Sequence, residues 1–235
     1  MSVRPRERHS FGNVALREPA TASWSAQPGE ALGLAGAPEA LKRLIDVIVA
    51  LVAIVALAPL FIVVALAIRL ESTGPIVYRQ TRVGRGGRVF HIYKFRSMRR
   101  DAEQLLGDLR HRNEAPGPLF KIRDDPRVTG VGRLIRRTSV DELPQLLNVL
   151  EGTMSLVGPR PPLPKEVELY EKWQLRRLEA VPGITGLWQI SGRSNLSFLD
   201  MVNLDLYYID NWSLSLDLKV LMQTIPAVLG AKGAY

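Results

Sequence analysis

An apolar run of twenty-two residues without a charged side chain extends from Val47 to Ile68. A helix rises about 1.5 Å per residue, so this run is long enough to reach through the roughly 30 Å hydrocarbon core of a bilayer. Lys42 and Arg43 precede the run, and positive charge favours the cytoplasmic side of a membrane. The pattern therefore predicts a membrane-inserted helix over residues 41–70 whose N-terminal end faces the cytoplasm.

Pro59 lies in the middle of this run, where a proline removes a backbone hydrogen bond and kinks a helix. A straight span would place residues 71–235 outside the cell, although the segment that follows the run is strongly basic. A helix that is broken at Pro59 and returns through the same membrane face satisfies both observations. We expect such a re-entrant helix, with a spanning helix as the alternative.

Beyond the run, the hydrophobic pattern is mostly helical. Residues 100–112, 164–180 and 197–211 read as helices, and a last apolar helix is bent by Pro226. Residues 75–96 instead alternate apolar with polar side chains around a glycine-rich turn, which is typical of a β-hairpin.

These elements define the expected organisation. Residues 1–40 are rich in Ala, Pro, Gly, Ser and Glu and have no sustained period, so we expect a flexible tail. Residues 41–70 form the anchor, and residues 71–235 form a compact cytoplasmic domain. The predicted fold class is mainly α with a small β-hairpin, anchored to the membrane by a kinked hydrophobic helix.

The absence of cysteine excludes both a disulfide framework and a thiolate zinc site. The three histidines, His9, His91 and His111, have no ligand spacing. Any metal site should therefore use oxygen ligands, which Mg²⁺ prefers.

The formal net charge of +8 is concentrated in one part of the chain. Residues 79–137 contain fourteen Arg and two Lys against six acidic residues, whereas the first forty residues are balanced. Such a block fits nucleic acid, anionic lipid headgroups or phosphorylated substrates. Few aromatic residues are interleaved with these arginines and no nucleic-acid-binding motif is present, so we expect no nucleic acid partner.

Two adjacent carboxylates, Asp141 and Glu142, open a short apolar segment that is typical of a helix. A helix N-terminus carries free N–H groups and a partial positive charge, which keep a carboxylate ionised as a nucleophile or metal ligand. The simpler interpretation is a helix cap. Ser139 with Glu142 fits a capping box, whereas Asp141 as the cap places Pro144 where no donor is needed. The pattern by itself leaves both interpretations open.

Two arginines lie in segments with distinctive backbone composition. Prolines flank Arg160 on both sides, and Arg193 ends a glycine-rich loop that begins at Val181. A guanidinium held in place suits bidentate binding of phosphate. An ordinary proline-rich connector is the alternative for the first segment.

Several longer motifs occur in one order: K-F-R-S-M (94–98), T-S-V-D-E-L-P-Q-L-L-N-V-L (138–150), M-S-L-V-G-P-R-P (154–161), P-G-I-T-G-L-W-Q-I-S-G-R (182–193) and L-D-L-Y-Y-I-D-N-W-S-L (204–214). Together with the anchor they resemble the bacterial sugar transferase family, the monotopic polyprenyl-phosphate phosphoglycosyl transferases. The similarity covers residues 41–235. The closing T-I-P-A-V (224–228) and G-A-Y (233–235) look most like exopolysaccharide-initiating members that use UDP-galactose or UDP-glucose.

The resemblance implies transfer of hexose-1-phosphate from a UDP-hexose to undecaprenyl phosphate, with release of UMP, as the first membrane step of exopolysaccharide biosynthesis. Asp141 matches the nucleophile, which forms a covalent phosphoryl-aspartate, and Glu142 matches the partner that holds Mg²⁺, with Asp141 as a second metal ligand. The catalytic domain is then expected at the cytoplasmic face of the bacterial inner membrane. Downstream glycosyltransferases are expected partners.

The resemblance also assigns roles to residues outside the acidic pair. Substrate-binding positions are matched by Arg136, Arg160, Arg193 and Asp217. The membrane interface is matched by Lys42 and Arg43, and the break of the re-entrant helix by Pro59.

Two other functions stay open on the residues alone. Asp124 and Asp125, together with the lipid anchor, suit a glycosyltransferase that releases UDP, although a plain turn before Pro126 explains these two residues better. The arginine block suits a basic membrane-tethered binding protein that performs no chemistry.

Overall fold

The computed structural model describes residues 36–114, 120, 122, 124–192 and 196–230. Within these ranges the fold is mainly helical with a small β-hairpin, as predicted, and it contains a second small sheet that was not predicted. The helices are α1 (Ala37–Glu71), α2 (Leu106–Leu109), α3 (Gly130–Arg137), α4 (Gln145–Glu151), α5 (Pro164–Val167), α6 (Leu187–Ser191), α7 (Phe198–Asp210) and α8 (Leu214–Leu229). The strands are β1 (Val77–Val83), β2 (Val89–Phe95), β3 (Ser155–Val157) and β4 (Gly183–Thr185). Of the predicted tail, only residues 36–40 are described, and the last four of them begin α1.

Helix α1 has one packed face and one exposed face. Asp46, Ala50, Val64 and Ile68 are buried at helical spacing along one side, while the other side exposes large apolar side chains. This helix is long and apolar enough to cross a membrane. An exposed surface of this composition is stable in lipid and costly in water.

The helix continues without interruption through Pro59. The predicted break at this residue therefore does not divide α1 into two helices. Proline removes only one backbone hydrogen bond, and packing compensates on both sides of it. Ala50 belongs to the main hydrophobic core, whereas Val64 and Ile68 pack with Phe95 and neighbouring residues in a second cluster.

The β-hairpin is confirmed, with β1 and β2 antiparallel in register from Val77–Phe95 to Val83–Val89. Its turn contains Gly86 and Gly87 at φ of 65° and 77°, which are conformations that favour glycine. The hairpin carries Arg82 and Lys94 toward the acidic pair, as described below.

Two predicted helices are wrong. Residues 100–112 contain mainly turns with the four-residue α2, where Gly107 weakens helix formation. Residues 164–180 divide into α5 and a 3₁₀ helix at Gln174–Glu179. The Gln174 side chain accepts a hydrogen bond from the Glu171 N–H at 2.9 Å, and this type of bond competes with the regular helix.

Strands β3 and β4 were not predicted, because three residues are too few to show a pattern. They pair in parallel, with Ser155 opposite Gly183 and Val157 opposite Thr185. A Cβ atom on Gly183 would lie 2.0 Å from the Gly158 nitrogen, so only glycine allows this approach. The pairing fixes the loop that carries Arg160 against the loop that carries Trp188.

Candidate active site

The acidic pair lies in a 3₁₀ turn, Val140–Glu142, that precedes α4. Ser139 starts this turn at a φ of 57°, which is uncommon for a residue other than glycine, and its side chain makes no capping hydrogen bond. Helix α4 begins only after Pro144. Ser139 is therefore the N-cap residue, as in one predicted register, but it caps a 3₁₀ turn and forms no capping box. The predicted register with Asp141 as the cap is wrong, because Pro144 precedes α4. The strained Ser139 backbone leads directly into the segment that carries the two carboxylates.

Asp141 is a buried carboxylate, with 8% of its surface exposed. No other side chain in the described part of the chain donates a hydrogen bond to it. Burial and the negative charge of Glu142 raise the pKa of Asp141 to about 6, against the opposing effect of Lys94 and Arg136. A buried carboxylate without a side-chain donor is unusual in a structural role, because burial without partners costs stability.

Glu142 is surrounded by cations. Its Oε1 lies 2.5 Å from Lys94 Nζ and 3.8 Å from Arg160 Nη1. Burial alone would raise the pKa of Glu142, but the positive charges of Lys94, Arg160 and Arg82 outweigh it and lower the pKa to about 2. The two adjacent carboxylates thus have opposite electrostatic environments.

Sequence reasoning did not predict Lys94 as a site residue. Its position is fixed by a fully buried asparagine, Asn148. Asn148 Oδ1 accepts from the Tyr93 N–H at 3.0 Å, and Asn148 Nδ2 donates to the His91 carbonyl at 2.8 Å. The side-chain amide therefore docks strand β2 onto α4, which brings the next residue, Lys94, to Glu142. The signal in the sequence was a lone polar residue in the apolar segment of α4.

Arg160 joins the acidic pair to the loop of α6. Its guanidinium lies 5.8 Å from the ring centroid of Trp188, a cation–π contact, and approaches Glu142 from the other side. Arg82, which sequence reasoning missed, is buried nearby. Burial and the charge of Arg160 lower the pKa of Arg82 to about 10.

Of the other two predicted arginines, Arg136 lies within the described residues. Arg136 is half-buried in the last turn of α3, and its charge acts on both Asp141 and Asp125. Asp125 itself forms a local ion pair with Arg127, with Oδ2 2.6 Å from Nη2, in a turn. Arg193 lies outside the described residues.

Asp217 occupies a second buried polar cluster, at the start of α1. Its carboxylate accepts from Lys42 Nζ at 2.6 Å, Tyr208 Oη at 2.7 Å and Trp212 Nε1 at 3.2 Å. Arg43 donates to the carbonyls of Val149 and Leu150. The predicted interface residues Lys42 and Arg43 and the predicted substrate-binding residue Asp217 therefore meet where the anchor joins the domain.

A family model described as bacterial sugar transferase matches residues 37–231. The chain belongs to the bacterial sugar transferase family. Similar curated proteins include the galactosyl transferase CpsE of Streptococcus agalactiae, 50% identical over 194 residues, which are 82% of this chain and 43% of that protein. The exopolysaccharide production protein ExoY of Sinorhizobium fredii is 43% identical over 198 residues, 83% of this chain and 88% of that protein.

A third relative is the UDP-glucose:undecaprenyl-phosphate glucose-1-phosphate transferase of Caulobacter vibrioides, which is 42% identical over 202 residues, 83% of this chain and 72% of that protein. The chain spans less than half the length of CpsE and most of the length of ExoY. The resemblance drawn from the motifs is thereby confirmed at the level of the family.

The acidic pair of this sugar transferase fits a Mg²⁺ ion shared with a phosphorylated substrate. No group of three or more acidic, His or Cys side chains is found within the ranges that the structure describes, so the protein alone offers only the two adjacent carboxylates. Mg²⁺ is commonly held by one or two carboxylates together with substrate phosphates and water. A cation there would also oppose the effects of burial and of the Glu142 charge, which together raise the pKa of Asp141.

Proposed function

We propose that this chain transfers hexose-1-phosphate from UDP-galactose or UDP-glucose to undecaprenyl phosphate and releases UMP. The observation that carries the proposal is the buried Asp141, which accepts no hydrogen bond from another side chain among the described residues and lies beside Glu142 and its cations. The names of the relatives supply the two sugars and the lipid carrier.

In the first step, a carboxylate oxygen of Asp141 forms a bond to the β-phosphorus of the UDP-hexose. The bond from that phosphorus to the oxygen that bridges the two phosphates breaks, and UMP leaves with the electron pair. The hexose remains attached through its own phosphate oxygen. A pKa of about 6 leaves Asp141 ionised at neutral pH and more basic than an ordinary carboxylate, which suits a nucleophile.

In the second step, a phosphate oxygen of undecaprenyl phosphate attacks the same phosphorus, and the bond to Asp141 breaks. This returns the free carboxylate and yields undecaprenyl-diphospho-hexose. The acceptor is a lipid, so the nucleophile must lie at the bilayer. Val140 packs against the cluster that contains Val64 and Ile68 of α1, which supports this position because Asp141 is the next residue.

Positive charge around the acidic pair suits the diphosphate of the donor. Arg160, Lys94 and Arg136 surround the two carboxylates and would neutralise the charge that develops in phosphoryl transfer. Glu142 and Asp141 would hold Mg²⁺ with the diphosphate, and the ion would withdraw negative charge from the phosphate oxygens.

The contacts of α1 support a re-entrant anchor. Lys42 near its N-terminal end bonds to Asp217, while Glu71 at its C-terminal end accepts from the Val131 N–H at 3.1 Å. Arg96 donates to the Ser72 carbonyl at 2.8 Å just after the helix. A spanning helix would separate these two ends by a bilayer, whereas here both contact one domain.

We therefore place the catalytic domain at the cytoplasmic face of the bacterial inner membrane, as the entry to exopolysaccharide synthesis. ExoY is named for exopolysaccharide production, which supports this pathway class. Downstream glycosyltransferases would then extend the lipid-linked hexose.

The reaction is tested with purified protein, Mg²⁺, undecaprenyl phosphate and each UDP-hexose in turn. We expect UMP, with no release after chelation of the metal or in Asp141→Asn. UDP as the product would indicate glycosyl transfer at the sugar carbon instead. No turnover combined with salt-dependent binding to anionic vesicles would indicate a binding protein.

The topology is tested by cysteine labelling, since the chain has no cysteine of its own. Single variants Glu39→Cys and Arg100→Cys place a thiol at exposed positions on either side of the anchor. In intact cells we expect both to be protected from an impermeant reagent. Labelling of Arg100→Cys alone would indicate a spanning helix.

A further inference from the structure

Backbone hydrogen bonds can hold the segment Pro159-Arg160-Pro161-Pro162 mainly through its four carbonyl oxygens. Three of its four residues are prolines, which have no N–H, so Arg160 has the only amide donor. The prolines limit backbone rotation but do not fix the segment relative to the rest of the site. Its position therefore depends on what donates to these four carbonyl oxygens.

Every one of the four carbonyls accepts a hydrogen bond. The Gly183 N–H donates to Pro159 at 2.9 Å and the Val83 N–H to Pro162 at 3.0 Å. The two central carbonyls accept from arginine side chains. Arg177 Nη2 donates to the Arg160 carbonyl at 3.4 Å, and Arg82 Nη1 donates to the Pro161 carbonyl at 2.9 Å.

Both arginines are buried and held by other partners. Arg82 is 5% exposed and donates from Nε and Nη2 to Gln80 Oε1 at 3.2 and 2.7 Å. Arg177 is 7% exposed and pairs with the buried Asp205, with Nη2 at 2.6 Å from Oδ2. Its Nη1 also donates to Tyr170 Oη at 2.5 Å.

This arrangement needs guanidinium groups. A guanidinium has five N–H donors in a rigid plane, so it can hold its own partner and still donate to the loop, whereas a lysine ammonium on a flexible stem lacks that fixed fork. The buried position of Arg82 near Arg160 is also electrostatically unfavourable. Burial and the positive charge of Arg160 both lower the pKa of Arg82. A cation kept at such a cost requires a role beyond filling space.

We propose that Arg82 and Arg177 are positioning residues, which hold the Arg160 guanidinium between Glu142 and Trp188 through the carbonyls of its proline segment. The role of Arg160 itself, binding the donor diphosphate, rests on the proposed function. The inference concerns how that guanidinium is kept in place.

A double-mutant cycle tests this on UMP release. Arg177→Lys keeps a positive charge opposite Asp205 but removes the fork that reaches the loop. We expect kcat/KM for the UDP-hexose to fall about tenfold in the otherwise unchanged protein, since small misplacement of a positioning group is costly. In an Arg160→Ala background the same substitution should change kcat/KM by less than about twofold, because no guanidinium is left to position.

The control is the adjacent Arg176, which pairs with Asp210 of α7 at 2.5 Å and makes no hydrogen bond or ion pair with the described residues 159–162. Arg176→Lys should leave kcat/KM unchanged in both backgrounds. Arg82→Lys repeats the cycle on the second carbonyl, with Arg79→Lys as its control, since Arg79 stacks on Tyr93. Thermal unfolding of each variant reports whether the fold is kept.

Additive losses in the two backgrounds would overturn the proposal, because a general loss of stability acts whether or not Arg160 is present. Failure of the proposed function appears differently, as absence of UMP from the unchanged protein. In that case the cycle is measured on UDP-hexose affinity by calorimetry. Non-additive affinities would support the positioning role, and additive ones would overturn it.

Discussion

Asp217 and Asp141 are both buried, with 7% and 8% of their surfaces exposed, yet their surroundings are opposite. Asp217 accepts from Lys42, Tyr208 and Trp212. Asp141 accepts from no other side chain within the described ranges, and its neighbour Glu142 adds a negative charge that helps raise its pKa to about 6.

We infer from this difference that Asp217 has a structural role and that Asp141 is available to react. Fully bonded buried groups fix a unique arrangement, here the joint between α1, α7 and α8. A buried carboxylate such as Asp141, to which no other side chain in the described residues donates, is destabilising until a substrate or ion arrives, which is typical of active sites.

Asp141→Asn should reduce UMP release by about 10³-fold or more, because an amide cannot act as the nucleophile. The same variant should be more stable than the parent at pH 7.5, on the order of 2 kcal/mol, since it removes a charge from a buried position. Activity and thermal unfolding measured on one preparation check both effects. Lost activity with lowered stability would show that Asp141 is structural.

The stabilisation has a defined pH dependence. The pKa of Asp141 is raised from 3.8 to about 6 in the folded protein, so the native state binds the proton more tightly than the unfolded chain. Stability from this group is fully present below pH 3.8 and is lost as the pH rises through 6. The advantage of Asp141→Asn should therefore be largest above pH 6 and vanish below pH 3.8.

Glu142→Gln should reduce both activity and stability, in contrast to Asp141→Asn. It leaves Lys94 facing an uncharged group in a buried place, which we expect to cost about 2 kcal/mol. The double variant Glu142→Gln/Lys94→Met should recover much of the stability but none of the activity. Urea unfolding and UMP release distinguish these outcomes, and full activity in the double variant would exclude Glu142 from catalysis.

Long or sequence-local features of the fold were predictable. The apolar run predicted α1, and the alternation of apolar and polar residues predicted the hairpin. The helix predicted over residues 197–211 differs from α7 by one residue at each end. The acidic pair was found because two adjacent carboxylates before an apolar segment are visible in sequence. The predicted helix-cap geometry was wrong, because nothing in the sequence indicates the left-handed backbone conformation at Ser139.

Contacts between distant residues could not be predicted. Lys94 reaches Glu142 across 48 positions, Asn148 docks on Tyr93 across 55, and Lys42 meets Asp217 across 175. Each side chain has an ordinary local pattern and gains its role only when packing brings its partner close. Strands β3 and β4 were missed for the same reason, since their pairing joins two loops.

The pH profile of the reaction tests whether Asp141 must be ionised for activity. Protonation removes the nucleophile, so kcat/KM for the UDP-hexose should fall on the acid side of pH 6, about tenfold at one unit below that pKa. The fall should have unit slope. Initial rates in a series of buffers at constant ionic strength check it. A flat profile between pH 5 and 7 would mean that Asp141 does not titrate there.

The smallest effect on the reaction is expected at the other carboxylate. Asp217→Asn weakens the bond to Lys42 but keeps an acceptor for Tyr208, so stability should fall by about 1–2 kcal/mol. Since its hydrogen bonds are with Lys42, Tyr208 and Trp212 and not with the acidic pair, KM for the UDP-hexose should change by less than about twofold. Tyr208→Phe, which removes another bond to the same carboxylate, is the matched variant and should behave alike.

An effect of Asp217→Asn on substrate binding rather than on stability would contradict the structural role of Asp217. If KM for the UDP-hexose rises about tenfold in Asp217→Asn while thermal stability is unchanged, then Asp217 is a substrate-binding residue, as the motif resemblance implies. Its three hydrogen bonds would then hold a ligand contact in place rather than join the anchor to the domain. If stability falls while KM for the donor stays constant, Asp217, whose carboxylate is fully bonded, joins the anchor to the domain and does not bind the substrate.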